Sequence, residues 1–124
     1  MKHSFEECNR MGEKSLSTCD LPKAYEWFYK ASKIAVKQHP QKVFETAVKL
    51  GDVSRRIAEE KMKNNNLKGN ISEIRRSIKR GVTHLLIALK YKTKTSSGLD
   101  LAAELGKMKD FFNQVGFAFC IINF

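Results

Sequence analysis

The chain has 124 residues, 42% of them hydrophobic, only two prolines, three cysteines and a net charge of +10. That length fits one domain, large enough to bury a core without staples, and the composition excludes a disordered chain. The odd cysteine count and the lack of a CxxC or clustered Cys/His pattern exclude a disulfide framework and a zinc site.

The first helix is expected over about 4–16. Phe5, Cys8, Met11 or Gly12, Ser15 and Cys19 mark its inner face, and both cysteines read as small core residues in a reducing compartment. Ser4 and Glu7 have the spacing of a capping box. A turn over 17–22 follows, with Asp20 as a cap and Pro22 in the first turn of the next helix, where no amide donor is needed.

The second helix is expected over about 22–38. Ala24, Phe28, Ala31 and Ala35 form one stripe, widened by Tyr25, Trp27 and Ile34. His39-Pro40 ends it, because the residue before proline disfavours the helical region. The third runs over about 41–63 on Val43, Ala47, Leu50, Ile57 and Ala58, flanked by Phe44, Val48 and Val53. Gly51 in its middle marks a close helix contact or a bend. NNNLKGN at 64–70 is the clearest loop.

The fourth helix, over 71–92, organises the chain. Ile71, Ile74, Ile78, Val82, Leu85 and Leu89 define one face, and Arg75, Arg76, Lys79 and Arg80 another. TKTSSG at 93–98 is a second connection, and a fifth helix is expected from about 98–100 on Leu101, Leu105, Met108, Phe112, Val115 and Phe119. The last ten residues, VGFAFCIINF, abandon the pattern. They are a buried terminal turn, a segment that needs a partner, or the cut edge of a longer domain. The expected fold is therefore all-α, a single domain over 1–124 of about five helices in antiparallel hairpins.

Charge is concentrated. Residues 61–94 carry 10 Lys/Arg against the single acid Glu73, whereas residues 1–60 carry 11 against 9. Solvated helix faces usually mix signs for i,i+4 pairs, and this one does not. Arg75, Arg76, Lys79, Arg80, Lys90 and Lys92 are the expected anion- or partner-binding residues, with Lys61, Lys63, Lys68 and Lys94 flanking. Nucleic-acid phosphate, an acidic peptide and an anionic lipid surface all fit such a face. Tyr25, Trp27 and Tyr29 are the aromatics suited to line a peptide groove, and Trp27 and Tyr29, which lie off the alanine stripe, are the groove candidates.

Residues 8–36 resemble a tetratricopeptide repeat. Gly12 precedes Ala24 by twelve residues, Phe28 by sixteen and Ala31 by nineteen, as in that family, and Met11 replaces the leucine before the glycine. Cys8, Ser15 and Val36 stand where the family has tryptophan, tyrosine and proline, and no second copy stands out at its period of about 34 residues. The long helices also look like those of microtubule-interacting-and-transport domains. The resemblance implies a TPR-like or MIT-like scaffold, an adaptor that binds a peptide or helix in a groove, and it carries over no groove residues.

Chemistry is not expected. His84 follows Arg80 in the order some small helical nucleases use, but at a shorter spacing, and is expected to sit partly buried beside the core. No nucleophile–base pair, glycine-rich phosphate loop or paired carboxylates stand out, so no enzyme activity, cofactor or metal is expected. There is no signal-peptide pattern, and the longest apolar run, 115–122, is too short for a span of about 20 residues. A cytoplasmic or nuclear interaction module for an acidic partner is the first expectation, and RNA binding through the basic face of 71–94 the second. The oligomeric state stays open.

Overall fold

The computed structural model describes residues 3–63 and 71–91, together with positions 103, 106, 107, 109 and 110. Four α-helices account for almost all of them: α1 (Phe5–Ser17), α2 (Leu21–Gln38), α3 (Val43–Lys63) and α4 (Ile71–Lys90), with a 3-10 turn over Pro40–Lys42 before α3. No strand occurs among the described residues. Most of the expected fifth helix, and the apolar end from 115, lie outside them. The positions described there, Ala103, Gly106, Lys107, Lys109 and Asp110, are helical and exposed.

The helix ends follow local chemistry. Ser4 Oγ accepts from the Glu7 amide at 3.1 Å, and Asp20 Oδ1 accepts from the Lys23 amide at 3.3 Å. The capping box is only half formed, since the Glu7 carboxylate is bonded to His3 Nδ1 at 2.7 Å. Ser4→Ala should lower the unfolding free energy by about 1 kcal/mol in urea denaturation, with an unchanged slope. The α1–α2 turn corrects one expectation. Cys19 is exposed, outside the helix, at φ 61°. Its amide donates to the Leu16 carbonyl and that of Asp20 to the Ser15 carbonyl, the pairing of a Schellman cap, whose left-handed position glycine usually fills. Cys8, by contrast, is buried as expected.

Each helix runs antiparallel to the next. Phe5 and Cys8 of α1 meet Ala31 and Ala35 of α2, which also meet Val43 at the start of α3. At the other end Leu21, Ala24 and Phe28 pack on Leu50 and Val53. The alanine stripe is fully buried. Small side chains let α1 and α3 close on both flanks of α2, and Phe28 fills the space between them. A Cβ on Gly12 would lie 2.5 Å from the Phe28 ring, so the missing methyl is what lets the ring in.

The α3–α4 hairpin also packs closely. Ala58 packs on Ile74, and Phe44, Ala47 and Val48 pack on Leu85 and Ala88. Gly51 marks a close contact: a Cβ there would lie 2.7 Å from Leu85 Cδ2. The face α4 buries keeps Ile74 and Leu85 of the expected one, with Ile78 and Val82 packed against the core, and departs from it at Leu89. Ile74, Ser77, Gly81, His84, Leu85 and Ala88 are inward, while Leu89 is 54% exposed and Leu86 60%. Small residues win the inward places because the hairpin is tight. Since α2 and α4 both run antiparallel to α3, they run parallel to each other and leave a groove between them.

Candidate functional site

The groove between α2 and α4 holds a cavity of about 630 Å³ lined by Tyr25, Tyr29, Arg76, Lys79, Arg80, Thr83 and His84. The 3.6-residue period produces this meeting. Tyr25 and Tyr29 are one turn apart, one step round α2 from the buried Ala24 and Phe28. Arg76 and Arg80 are one turn apart on α4, bordering the buried Ser77 and Gly81. Each pair stands on the shoulder of its helix, where the two cylinders face each other across the groove.

The two phenol rings are stacked, 5.9 Å apart and inclined by 15°. Each carries a cation: the Arg80 guanidinium lies 5.3 Å from the Tyr25 centroid, and Lys33 Nζ 4.8 Å from that of Tyr29. The Tyr25 hydroxyl and His84 Nε2 share a hydrogen bond of 2.9 Å across the floor. Burial, and then the nearby Arg80 charge, push the His84 pKa down to about 4, so its imidazole is neutral at pH 7. Burial pushes the Tyr25 hydroxyl up, which keeps it protonated. The phenol donates when Nε2 is bare and accepts when Nε2 carries the proton.

Several cations elsewhere in the molecule are paired with acids. Lys49 pairs with Glu13, Arg55 with Asp52 and Glu59, Arg56 with Asp52, and Lys61 with Glu73. Among the described residues no ion pair involves Arg76, Lys79 or Arg80. No carboxylate lines the cavity. With His84 neutral, the lining carries three positive charges.

The expected residues are thus brought together in part. Arg76, Lys79, Arg80 and Tyr29 share the cavity. Arg75 is exposed but does not line it, Lys90 lies in the last turn of α4, and Lys92 is outside the described residues. Trp27 belongs to another region: it is partly buried, meets His3 edge-on at 5.2 Å and carries Lys30 Nζ at 4.8 Å. Tyr25, read from the sequence beside Trp27 and Tyr29 as a groove aromatic, lines the cavity, whereas His84, expected beside the core, is the site residue that sequence reasoning missed. Tyr25 stands four residues before Tyr29, a signal for a shared face, but nothing in the sequence pairs it with His84. No group of three or more His, Cys, Asp or Glu side chains suited to a metal occurs among the described residues. None of their helices is long and apolar enough to cross a membrane.

No family model, curated protein or solved structure matches the chain.

Proposed function

We propose that the chain is a non-enzymatic protein-interaction module that binds an acidic segment of a partner in the α2–α4 groove. The observation that carries this reading is the convergence of Arg76, Lys79 and Arg80, without a carboxylate, on the wall made by Tyr25 and Tyr29. Cations at the rim steer and orient an acidic partner, while the phenol rings supply apolar area at low entropic cost. The scaffold is read as a short TPR-like or MIT-like stack. In support, Gly12 and Phe28, two of the residues behind the resemblance, meet in the core.

One feature favours a protein over RNA through the same face. Sequence-tolerant single-strand binding stacks bases on open aromatic faces. Here Tyr25 and Tyr29 stack on each other and already carry Arg80 and Lys33, so a base would have to displace these contacts.

The test is anisotropy titration of a labelled Glu-rich helical peptide and a labelled mixed-sequence RNA, each at about 50 and 200 mM salt, where phosphate-driven binding falls by orders of magnitude. A variant carrying Arg76→Glu, Lys79→Glu and Arg80→Glu serves beside the wild type. All three side chains are exposed, so helicity and melting should be unchanged. Peptide binding that the variant loses is the expected result. Tighter RNA binding with a steep salt dependence, also lost in the variant, would replace this reading with nucleic-acid binding. No binding of either probe would overturn both.

A further inference from the structure

We infer that the acidic group this cavity prefers is one phosphorylated side chain of the partner, with carboxylates as weaker ligands of the same site. The inference rests on the interaction-module reading and names the ligand of that same site.

Charge is the first reason. The lining carries Arg76, Lys79 and Arg80 and no acid, while His84 is uncharged. A carboxylate brings one negative charge into this field. A phosphomonoester brings about 1.5 to 2 at pH 7, with three acceptor oxygens.

Geometry is the second. Arg76 and Arg80 are one turn apart on α4, with Lys79 between them on the same rim. Positions four apart on a helix hold their Cβ atoms about 5–6 Å apart, within reach of one tetrahedral group. Guanidinium forks match phosphate oxygens two at a time, and the lysine adds a point charge. Arg80 is partly placed beforehand by its contact with the Tyr25 ring.

Confinement is the third and most discriminating reason. The groove continues toward the start of α2 as a space of about 280 Å³ that shares Tyr25, Arg76 and Arg80 with the main cavity. That continuation is also lined by Glu26 and Glu73, and Glu73 is bonded to Lys61 at 2.6 Å. Lys61 lines it too and already pairs with Glu73, so an evenly acidic segment lying along the groove would set a carboxylate against Glu26 and find little free positive charge there beyond Arg76 and Arg80. One concentrated dianion in the main cavity, with uncharged residues on either side, avoids that repulsion. The phenol walls then cover the ester carbons.

The experiment compares three labelled peptides that differ at one position, phosphoserine, glutamate or serine, in an otherwise uncharged sequence. Wild type, Arg76→Ala, Arg80→Ala and, as a control in the last turn of α4, Lys90→Ala are titrated by anisotropy. The phosphoserine peptide should bind at least about tenfold more tightly than the glutamate peptide, reflecting the stronger charge-assisted bonds. Arg76→Ala and Arg80→Ala should each weaken it by about tenfold, and Lys90→Ala should leave it unchanged. Equal affinity for phosphoserine and glutamate would overturn the phosphate inference and leave the acidic-segment reading intact. A phosphoserine preference insensitive to Arg76→Ala and Arg80→Ala would overturn the assignment to this cavity. Failure of these peptides and of the Glu-rich helix would overturn the interaction-module reading with it.

Discussion

Phe28→Ala should lower the unfolding free energy by about 3–5 kcal/mol, the range for a large buried aromatic cut back to a methyl. Phe28 is fully buried at the level where α1, α2 and α3 meet, so the space it leaves cannot be filled from solvent. Its partner in α1 makes the prediction sharper. A Cβ on Gly12 would lie 2.5–2.9 Å from three Phe28 ring carbons. Gly12→Ala alone should therefore destabilise by roughly 1–2 kcal/mol, overpacking outweighing the helix-propensity gain of about 1 kcal/mol. In the Phe28→Ala background the clash is gone, and the same substitution should stabilise. Urea unfolding of the two single variants and the double variant measures this coupling. Additive effects would show that the ring and the glycine do not constrain each other.

Acid should weaken the fold through His84. Its pKa is about 4 in the folded chain, against an ordinary value of 6.5. Between these values the unfolded chain binds a proton that the folded chain does not, so unfolding gains ground as pH falls. The full contribution of the neutral imidazole is present above pH 6.5. It is lost progressively down to about pH 4, below which both states are protonated. A gap of this size corresponds to something on the order of 3 kcal/mol. Denaturation curves for wild type and His84→Gln at pH 7, 5.5 and 4 separate this loss from the carboxylates common to both. The wild type should lose more stability than the variant across that window. Parallel losses would mean that His84 is accessible to protons in the folded state.

Much of the fold was legible because the core of α2 is periodic. Ala24, Phe28, Ala31 and Ala35 recur at steps of four, three and four, and all four are fully buried. Ser4 and Asp20 announced their helix starts by side-chain type alone. Where hydrophobicity and size compete, the pattern misleads. The inward face of α4 uses Ser77, Gly81 and Ala88, because α3 approaches too closely for larger groups, and Leu89 is turned outward in consequence. Cys19 looked like a core residue by spacing, yet the chain leaves the helix two residues earlier through a backbone conformation its side chain does not announce.

The site was half legible for a related reason. A block of like charge is visible in one dimension, so Arg76, Lys79 and Arg80 stood out. Their wall is not, because Tyr25 meets His84 across 59 residues, and only the docking of α2 on α3 sets which turn of α2 faces which turn of α4.

That separation bears on when the groove exists. The α1–α2 and α3–α4 hairpins join neighbours in sequence, where closing a loop costs little entropy. The cavity appears only once α2 and α4, which are not neighbours in sequence, have both docked on α3, so it is a non-local product of folding. It is also the first thing lost if the α2–α3 seam opens. A ligand bridging Tyr25 and Tyr29 on one hairpin and Arg76 and Arg80 on the other is a strap across the seam. Bound at about a hundred times its dissociation constant, it would add roughly 2.7 kcal/mol to the native state. Occupancy of the receptor and integrity of the fold are therefore one equilibrium in this chain.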